Sequence, residues 1–412
     1  MGLRLGIVLF VLVALIALGL ANYRFASQAP GGNDFLPRWV GTHAWLQDGT
    51  SPYSRSVTLE AQRMIYGRPA DPSQGEDVAH FVYPLPAIIF FIPFGLMPYT
   101  LARAVWMTLL EVCLPLLALL GLGIAKWRPK PWLMGVLVLL SILWYHGLRA
   151  VIVGQFAVVE AILIVGAFLA VQRGRDALGG ILLALSLAKP QMSFLIIPYV
   201  LLWAYSRRRW VIIISTFAFL ALWVGASLLI IPDWPFQWLR QILEYPSYTD
   251  IGSPISILAG LVPPVSDWLN RLLTGGLVLY MFWEWYLARD QSDNWFQWTA
   301  AMTLVVTNLI AFRTATTNYV VLLPAWLLIF SVWEQRWDQG GVVASALTSL
   351  GLLVGPWVLF LTTVQARTES AAMYLPLPLL TLLALWWIRW WKLRAPEISL
   401  ASFPPDSRRL DV

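Results

Sequence analysis

Residues 177–206 read ALGGILLALSLAKPQMSFLIIPYVLLWAYS, apolar on both sides of a central Lys189-Pro190 and flanked by Arg173 and Arg175 before and Arg207 to Arg209 after. A chain that keeps both basic clusters on one side of a bilayer must cross it twice within this stretch, although a single perpendicular helix needs about 20 residues. The turn at Lys189-Pro190 is therefore expected to lie below the opposite surface. Broken backbone at that depth is tolerated only where it is buried in protein or lines a wet cavity. The stretch thus predicts helices in a membrane and a recess at Lys189.

The rest of the chain agrees. Of its 412 residues 59% are hydrophobic and 12% charged, against about 25% charged in soluble domains. An all-α polytopic membrane protein follows. The 24 Trp, 14 Tyr and 19 Phe suit many crossings, because amphipathic rings gather at membrane interfaces. The net charge of +6 reads as a topology signal, and no nucleic-acid partner is implied. Cys113 is the only cysteine, which excludes an intramolecular disulfide and a Cys-based metal site. The opening MGLRLGIVLFVLVALIALGLANYRF (residues 1–25) has the basic start and apolar run of a signal peptide but no clear small-x-small cleavage site, so a retained first span is expected.

Basic clusters recur at Lys126/Arg128/Lys130, Arg173/Arg175, Arg207 to Arg209, Arg289, Arg336 and Lys392/Arg394. The positive-inside rule puts them all in the cytoplasm. The opposite turns, at 147–155, 188–191, 232–256, 313–318 and 365–372, then face outward together with a long first loop, residues 23–80. Residues 81–125 hold apolar length for two helices where the scheme needs an odd number of crossings, so either the proline-rich first part is re-entrant or one cluster is on the wrong side. About 12 or 13 membrane helices are expected, in a single domain over residues 1–392, followed by a polar, Pro-rich cytoplasmic tail, 393–412, with the composition of disorder.

The first loop is too patterned for a linker. Apolar residues at Phe35, Trp39, Val40, Ala44 and Trp45 fall at helical spacing, and Gly49 and Pro52 end the run. A second amphipathic stretch covers Val57 to Tyr66. Both are expected to lie on the membrane surface with tryptophans facing down. Asp34, just outside the first helix with Pro37 in its first turn, is placed to cap free backbone N–H groups. A carboxylate there is also available as a general base, and the two roles are compatible.

Three blocks in order, NDFLPRWVGTHAWLQDGTSPY (33–53), FVYPLPAIIFFIPFGLMPYTLARAVWMTLL (81–110) and GQFAVVEAILIVGAFLAVQRGRDALGGILLALSLAKPQMSFLIIPYVLL (154–202), resemble glycosyltransferase family 87. The resemblance implies the GT-C fold, a polyprenyl-phosphate-linked sugar donor (mannose first among them), Asp34 as the base, and a first loop that forms a lid. Where the family often carries a histidine in a polar patch before a late span, this chain reads FRTATTNYVVLLP (312–324), with Asn318 and Tyr319.

With such a donor the leaving group is a phosphomonoester, so the site has to deprotonate an acceptor hydroxyl near C1 and stabilise the departing phosphate. Attack opposite the leaving group inverts the anomeric centre. Lys189 is the leading phosphate ligand, since an intramembrane cation defaults to a functional reading, although a lysine can also snorkel outward. Arg313, in another outward turn, is a second candidate, equally suited to pairing with the first loop. Gln155 and Arg149 are candidates for sugar hydroxyls, Gln155 being otherwise a packed polar cap. His80 and Tyr83 stand where the first loop re-enters the membrane, positions that also suit an interfacial hydrogen-bonder and an anchor. No acidic pair suitable for a metal stands near Asp34, and no glycine-rich nucleotide loop is present, so neither metal nor cofactor is expected.

The expected partners are a polyprenyl-phosphate-sugar donor, a glycolipid or cell-envelope glycan acceptor, and the bilayer of the plasma membrane, with the active site on its extracytoplasmic side. A lipid or solute transporter shares the spans and intramembrane charge, but it commonly shows two similar halves, and no internal repeat is evident. A transferase of the same fold using another lipid-linked sugar is not separated by sequence.

Overall fold

The computed structural model describes residues 2–29, 34–244, 252–312, 314–364 and 369–394. Among them the regular structure is helical and no strand occurs. α1 (Gly2–Gln28) leads into the first loop with α2 (Leu36–Asp48) and α3 (Arg55–Tyr66). Then come the single-turn α4 (Ile92–Gly95), the long α5 (Tyr99–Ala125), α6 (Pro131–Leu143), α7 (Tyr145–Val153) and α8 (Ala157–Gln172). The middle of the chain forms α9 (Asp176–Leu185), α10 (Pro190–Ser193), α11 (Ile196–Ser206), α12 (Trp210–Ile230), α13 (Trp234–Glu244), α14 (Pro254–Ala259) and α15 (Ser266–Ala288). It ends with α16 (Asp293–Ile310), α17 (Leu323–Trp337), α18 (Gln339–Thr363) and α19 (Pro376–Leu393).

The protein is an all-α polytopic membrane protein. Among the described residues six helical segments are long and apolar enough to cross a membrane, or seven if α6 and α7, bent by 41° at Trp144, make one span. That is fewer than the 12 or 13 expected by counting apolar stretches between basic clusters. The difference lies in short apolar helices, α8, α9 with its 3₁₀ extension to Ala188, and α11, and in α15 and α16, which carry more polar residues along their length.

Segments of similar composition take opposite places. α1 is apolar all round and mostly exposed, whereas residues 316–333, leading into α17 and covering most of it, are buried. α17 is enclosed by α5, α18 and α19, and α5 also packs on α1, α6 and α8. This central stack forms the main apolar core.

Two ambiguities resolve. Residues 81–98 form a 3₁₀ turn over Leu85–Phe90 and the four residues of α4, because Pro84, Pro86, Pro93 and Pro98 remove N–H donors and push their predecessors out of helical geometry. Only α5 in the 81–125 region is long and apolar enough to cross. Residues 177–206 fold as expected into two half-length helices, with Lys189 at φ −129°, ψ 76° between the 3₁₀ turn Ser186–Ala188 and α10. The ten residues of α9 rise about 15 Å, half of a hydrocarbon core of about 30 Å.

Both helices of the first loop are present near the expected bounds, α2 ending at Gly49 in the left-handed region and α3 starting at Ser54, whose side chain accepts from the Val57 N–H. The apolar side of α2, however, is covered by protein. Residues Leu36 to Thr42 are buried, α2 packs on α3, α4 and α5, and the Trp39 indole donates to the carbonyls of Phe94 and Met97, each at 3.1 Å. The proline-broken segment 81–98 exposes carbonyls that Trp39 satisfies, which holds this ring inside the protein and off the membrane.

Candidate active site

A cavity of about 560 Å³ opens where the first loop meets the broken α9–α10 segment. Asp34 reaches it because its backbone N–H donates to the Val153 carbonyl at the end of α7, at 3.1 Å. The next residue, Gly154, has φ +72°, and a Cβ there would lie 2.6 Å from the Cβ of Phe35. Only glycine fits that close approach. Trp106 donates to the Gly154 carbonyl at 2.9 Å and stacks on Phe35 at 5.4 Å, so the turn carrying Gln155 and the start of α2 are fixed to each other.

The capping role open to Asp34 is not realised. Phe35 is the N-cap residue of α2, and no side chain caps it. Among the described residues the Asp34 carboxylate accepts no hydrogen bond, yet it lines the cavity. Burial raises its pKa above the ordinary carboxylate value, with the positive charges of Arg38 and Lys189 opposing that shift. The result is a carboxylate held ready to accept a proton.

Lys189 shares this lining, is 5% exposed and donates to Gln155 Oε1 at 2.8 Å and to Asn318 Oδ1 at 2.7 Å. An ammonium has three N–H donors, so among the described residues one is left for a ligand in the cavity. The two acceptors come from segments far apart in sequence, the α7–α8 turn and the 3₁₀ segment Thr316–Leu322. Tyr83 donates to the same Gln155 Oε1 at 3.4 Å, and its ring lies 4.7 Å under the Arg38 guanidinium. Among the described residues the cavity therefore holds a carboxylate without a hydrogen-bond donor and two cations, Arg38 and Lys189.

Of the residues expected at a site, Asp34, Lys189, Gln155 and Tyr83 line one cavity. His80 stands apart from its lining. It shares a hydrogen bond with Thr58 Oγ1 at 3.2 Å and approaches the Glu244 carboxylate at 3.7 Å, joining α3 to α13. Arg149 is likewise outside the lining and forms an ion pair with Glu369, which also accepts from Tyr145 and, at 2.9 and 2.8 Å, from Thr316. Arg313 lies outside the described residues.

Two residues of the lining, Arg38 and Trp238, and one beside it, Glu160, were not singled out from sequence. Arg38 was hidden in a pattern read for its apolar positions. Trp238 belongs to α13, inside a turn read only as outward-facing. Its indole donates to the Val82 carbonyl at 3.0 Å, and Gln241 accepts from the Val82 N–H at 3.2 Å, which lays α13 over the cavity. The amphipathic spacing of WPFQWLRQILE was the available signal. Glu160 in α8 is 0% exposed, with neither carboxyl oxygen hydrogen-bonded among the described residues, and it lies within the electrostatic reach of Lys189.

The sequence model of glycosyltransferase family 87 matches residues 81–312, more than half of the chain. The chain belongs to glycosyltransferase family 87. No curated protein and no solved structure matches. The family 87 match takes in Tyr83, Gln155, Lys189 and Trp238, and begins after the first loop that contributes Asp34 and Arg38. This family 87 chain is therefore a membrane glycosyltransferase whose cavity is completed by residues outside the matched segment.

Proposed function

We propose that the cavity transfers a sugar, mannose in the first instance, from a polyprenyl-phosphate donor to the hydroxyl of a glycolipid or cell-envelope glycan, with inversion. The observation that carries this reading is that one cavity is lined both by Asp34, whose carboxylate accepts no hydrogen bond among the described residues, and by Lys189, which spends two of its three N–H groups on Gln155 and Asn318 among them. The acceptor hydroxyl gives its proton to Asp34 as its oxygen attacks C1. The bond from C1 to the phosphate oxygen breaks on the opposite side, and its electron pair leaves with the polyprenyl phosphate.

Lys189 and Arg38 stabilise the added negative charge on the phosphate, where fixed donors act most strongly in a water-poor site. Gln155 and Asn318 hold the Lys189 ammonium in place, and α13 with Trp238 shields the cavity from water. A donor already activated as a phosphate ester asks for little more than one base and these cations. The basic clusters, assigned to the cytoplasm, leave the Lys189 break on the extracytoplasmic side of the plasma membrane.

The test is transfer of radiolabelled mannose from a short-chain polyprenyl-phosphate-mannose to membrane lipids, with polyprenyl-phosphate-glucose run in parallel. Label is expected in a lipid product with the wild type and is expected to be lost with Asp34→Asn. Equal activity of both proteins would reject Asp34 as the base. Transfer from the glucose donor alone would keep the chemistry and replace the sugar.

A further inference from the structure

A second cavity, of about 550 Å³, lies between α17, α18 and α19. α18 and α19 each pack on α17 but make at most marginal contact with each other, so a cleft remains between them with α17 as its floor. Trp326 and Trp333, seven residues apart and so on one face of α17, line it. From α18 it is lined by Gly351 and Gly355, where an added Cβ would meet no atom within 4 Å. Leu350, Val354 and Leu383 on the flanking helix faces are exposed, so the cleft opens toward bilayer lipid.

The floor is not purely apolar. Among the described residues Trp326 Nε1, Trp333 Nε1 and His146 Nδ1 are buried with no hydrogen-bond partner, on residues that are 4%, 7% and 1% exposed. Buried polar atoms are nearly always paired, and each exception calls for a specific explanation. The position of the cleft adds to this. His146 packs on the Tyr319 ring at 5.3 Å, and the neighbouring Asn318 accepts from Lys189, so one end of the cleft adjoins the wall of the reaction cavity.

We propose that this cleft binds an acyl-ester lipid of the surrounding bilayer, its hydrocarbon chain lying along Gly351 and Gly355 and its ester oxygens accepting from the indole N–H groups. An isoprenoid chain would fill the same apolar volume, but it carries no oxygen acceptor for either indole. The lipid is therefore of the glycerolipid kind and distinct from the donor's chain. As the lipid part of the acceptor, it rests on the reading given under Proposed function. As a binding site it does not.

The experiment uses the full chain in nanodiscs with two probes carrying the same photoreactive group in the tail, a diacyl phosphatidylglycerol and a polyprenyl phosphate, followed by peptide mapping. The diacyl probe is expected to label α17 and α18 around the cleft at least several-fold above the lipid-facing surface of α12, and unlabelled diacyl lipid is expected to compete. Gly351→Leu, whose Cβ would meet no atom within 4 Å and whose side chain enters the cleft, should abolish that excess. Trp326→Phe keeps an aromatic side chain, removes the N–H donor and should reduce it several-fold.

Preferential labelling of the cleft by the polyprenyl probe, even labelling over all lipid-facing helices, or labelling unchanged in Gly351→Leu would each overturn the site. None of these readouts needs sugar transfer. If the cleft is labelled and Gly351→Leu leaves transfer to lipid unchanged, the acceptor role falls while the site stands. If Asp34→Asn remains active, the catalytic reading falls and the labelling still decides the site.

Discussion

Replacing Asp34 separates a catalytic carboxylate from a structural one, because the two roles predict opposite changes in stability. A side chain that caps a helix costs about 0.5–2 kcal/mol when it is cut to alanine. Asp34 makes no such bond, Phe35 standing at the cap position without side-chain help, so Asp34→Ala should cost nothing through capping. Burial raises the Asp34 pKa, and the charges of Arg38 and Lys189 only partly offset this. A folded-state pKa above the unfolded one means that the folded protein holds this proton more tightly.

Stability relative to the neutral variant Asp34→Asn is therefore lost as pH rises from the ordinary carboxylate value through the raised folded value. A carboxyl whose pKa is tenfold displaced in proton affinity changes stability by about 1.4 kcal/mol. Thermal unfolding in detergent, followed from pH 4 to pH 8 for wild type and Asp34→Asn, should show curves that meet at the acid end, with the variant more stable at neutral pH. Transfer by the same preparations should fall about 100- to 10,000-fold in the variant, the usual contribution of a positioned base. A loss of about 1 kcal/mol or more in Asp34→Ala together with retained transfer would refute the reasoning and restore the helix-cap role.

The wild-type rate should decline on the acid side with a midpoint above an ordinary aspartate, since the raised Asp34 must be ionised to accept the proton, and a pH–rate profile at saturating donor measures this. Lys189→Met removes two hydrogen bonds from a charged donor, worth about 1.5–3 kcal/mol each, and the charge facing the phosphate. Transfer should drop at least about 100-fold, with Lys189→Arg partly active in the same assay. Gly154→Ala forces a Cβ to 2.6 Å from Phe35 at φ +72°. It should destabilise by about 1–3 kcal/mol and lower transfer by moving Asp34, read from melting temperature and rate together. Tyr83→Phe loses a 3.4 Å hydrogen bond to Gln155 and a hydroxyl contact with Arg38 but keeps the ring under Arg38, so its rate should change by no more than a few-fold.

The sequence by itself determined the membrane class, the helical content, the two first-loop helices and the break at Lys189. Each is a local property. Apolar length, helical period, Gly49 as a stop, and too few residues between two arginine clusters act through nearby backbone alone. The tertiary structure decided what depends on neighbours. α1 and α17 are both apolar, and only packing reveals that one faces lipid and the other forms the centre, because lipid tails and protein interior reward the same side chains. Arg38 and Trp238 joined the cavity, and Arg149 left it for Glu369, because hydrogen-bond and ion-pair partners are set by segments far apart in the chain, which no local pattern encodes. Asp34 was legible as a carboxylate beside a helix start, while its freedom from capping became visible only when the backbone of Phe35 took the cap position and Val153 took the N–H of Asp34.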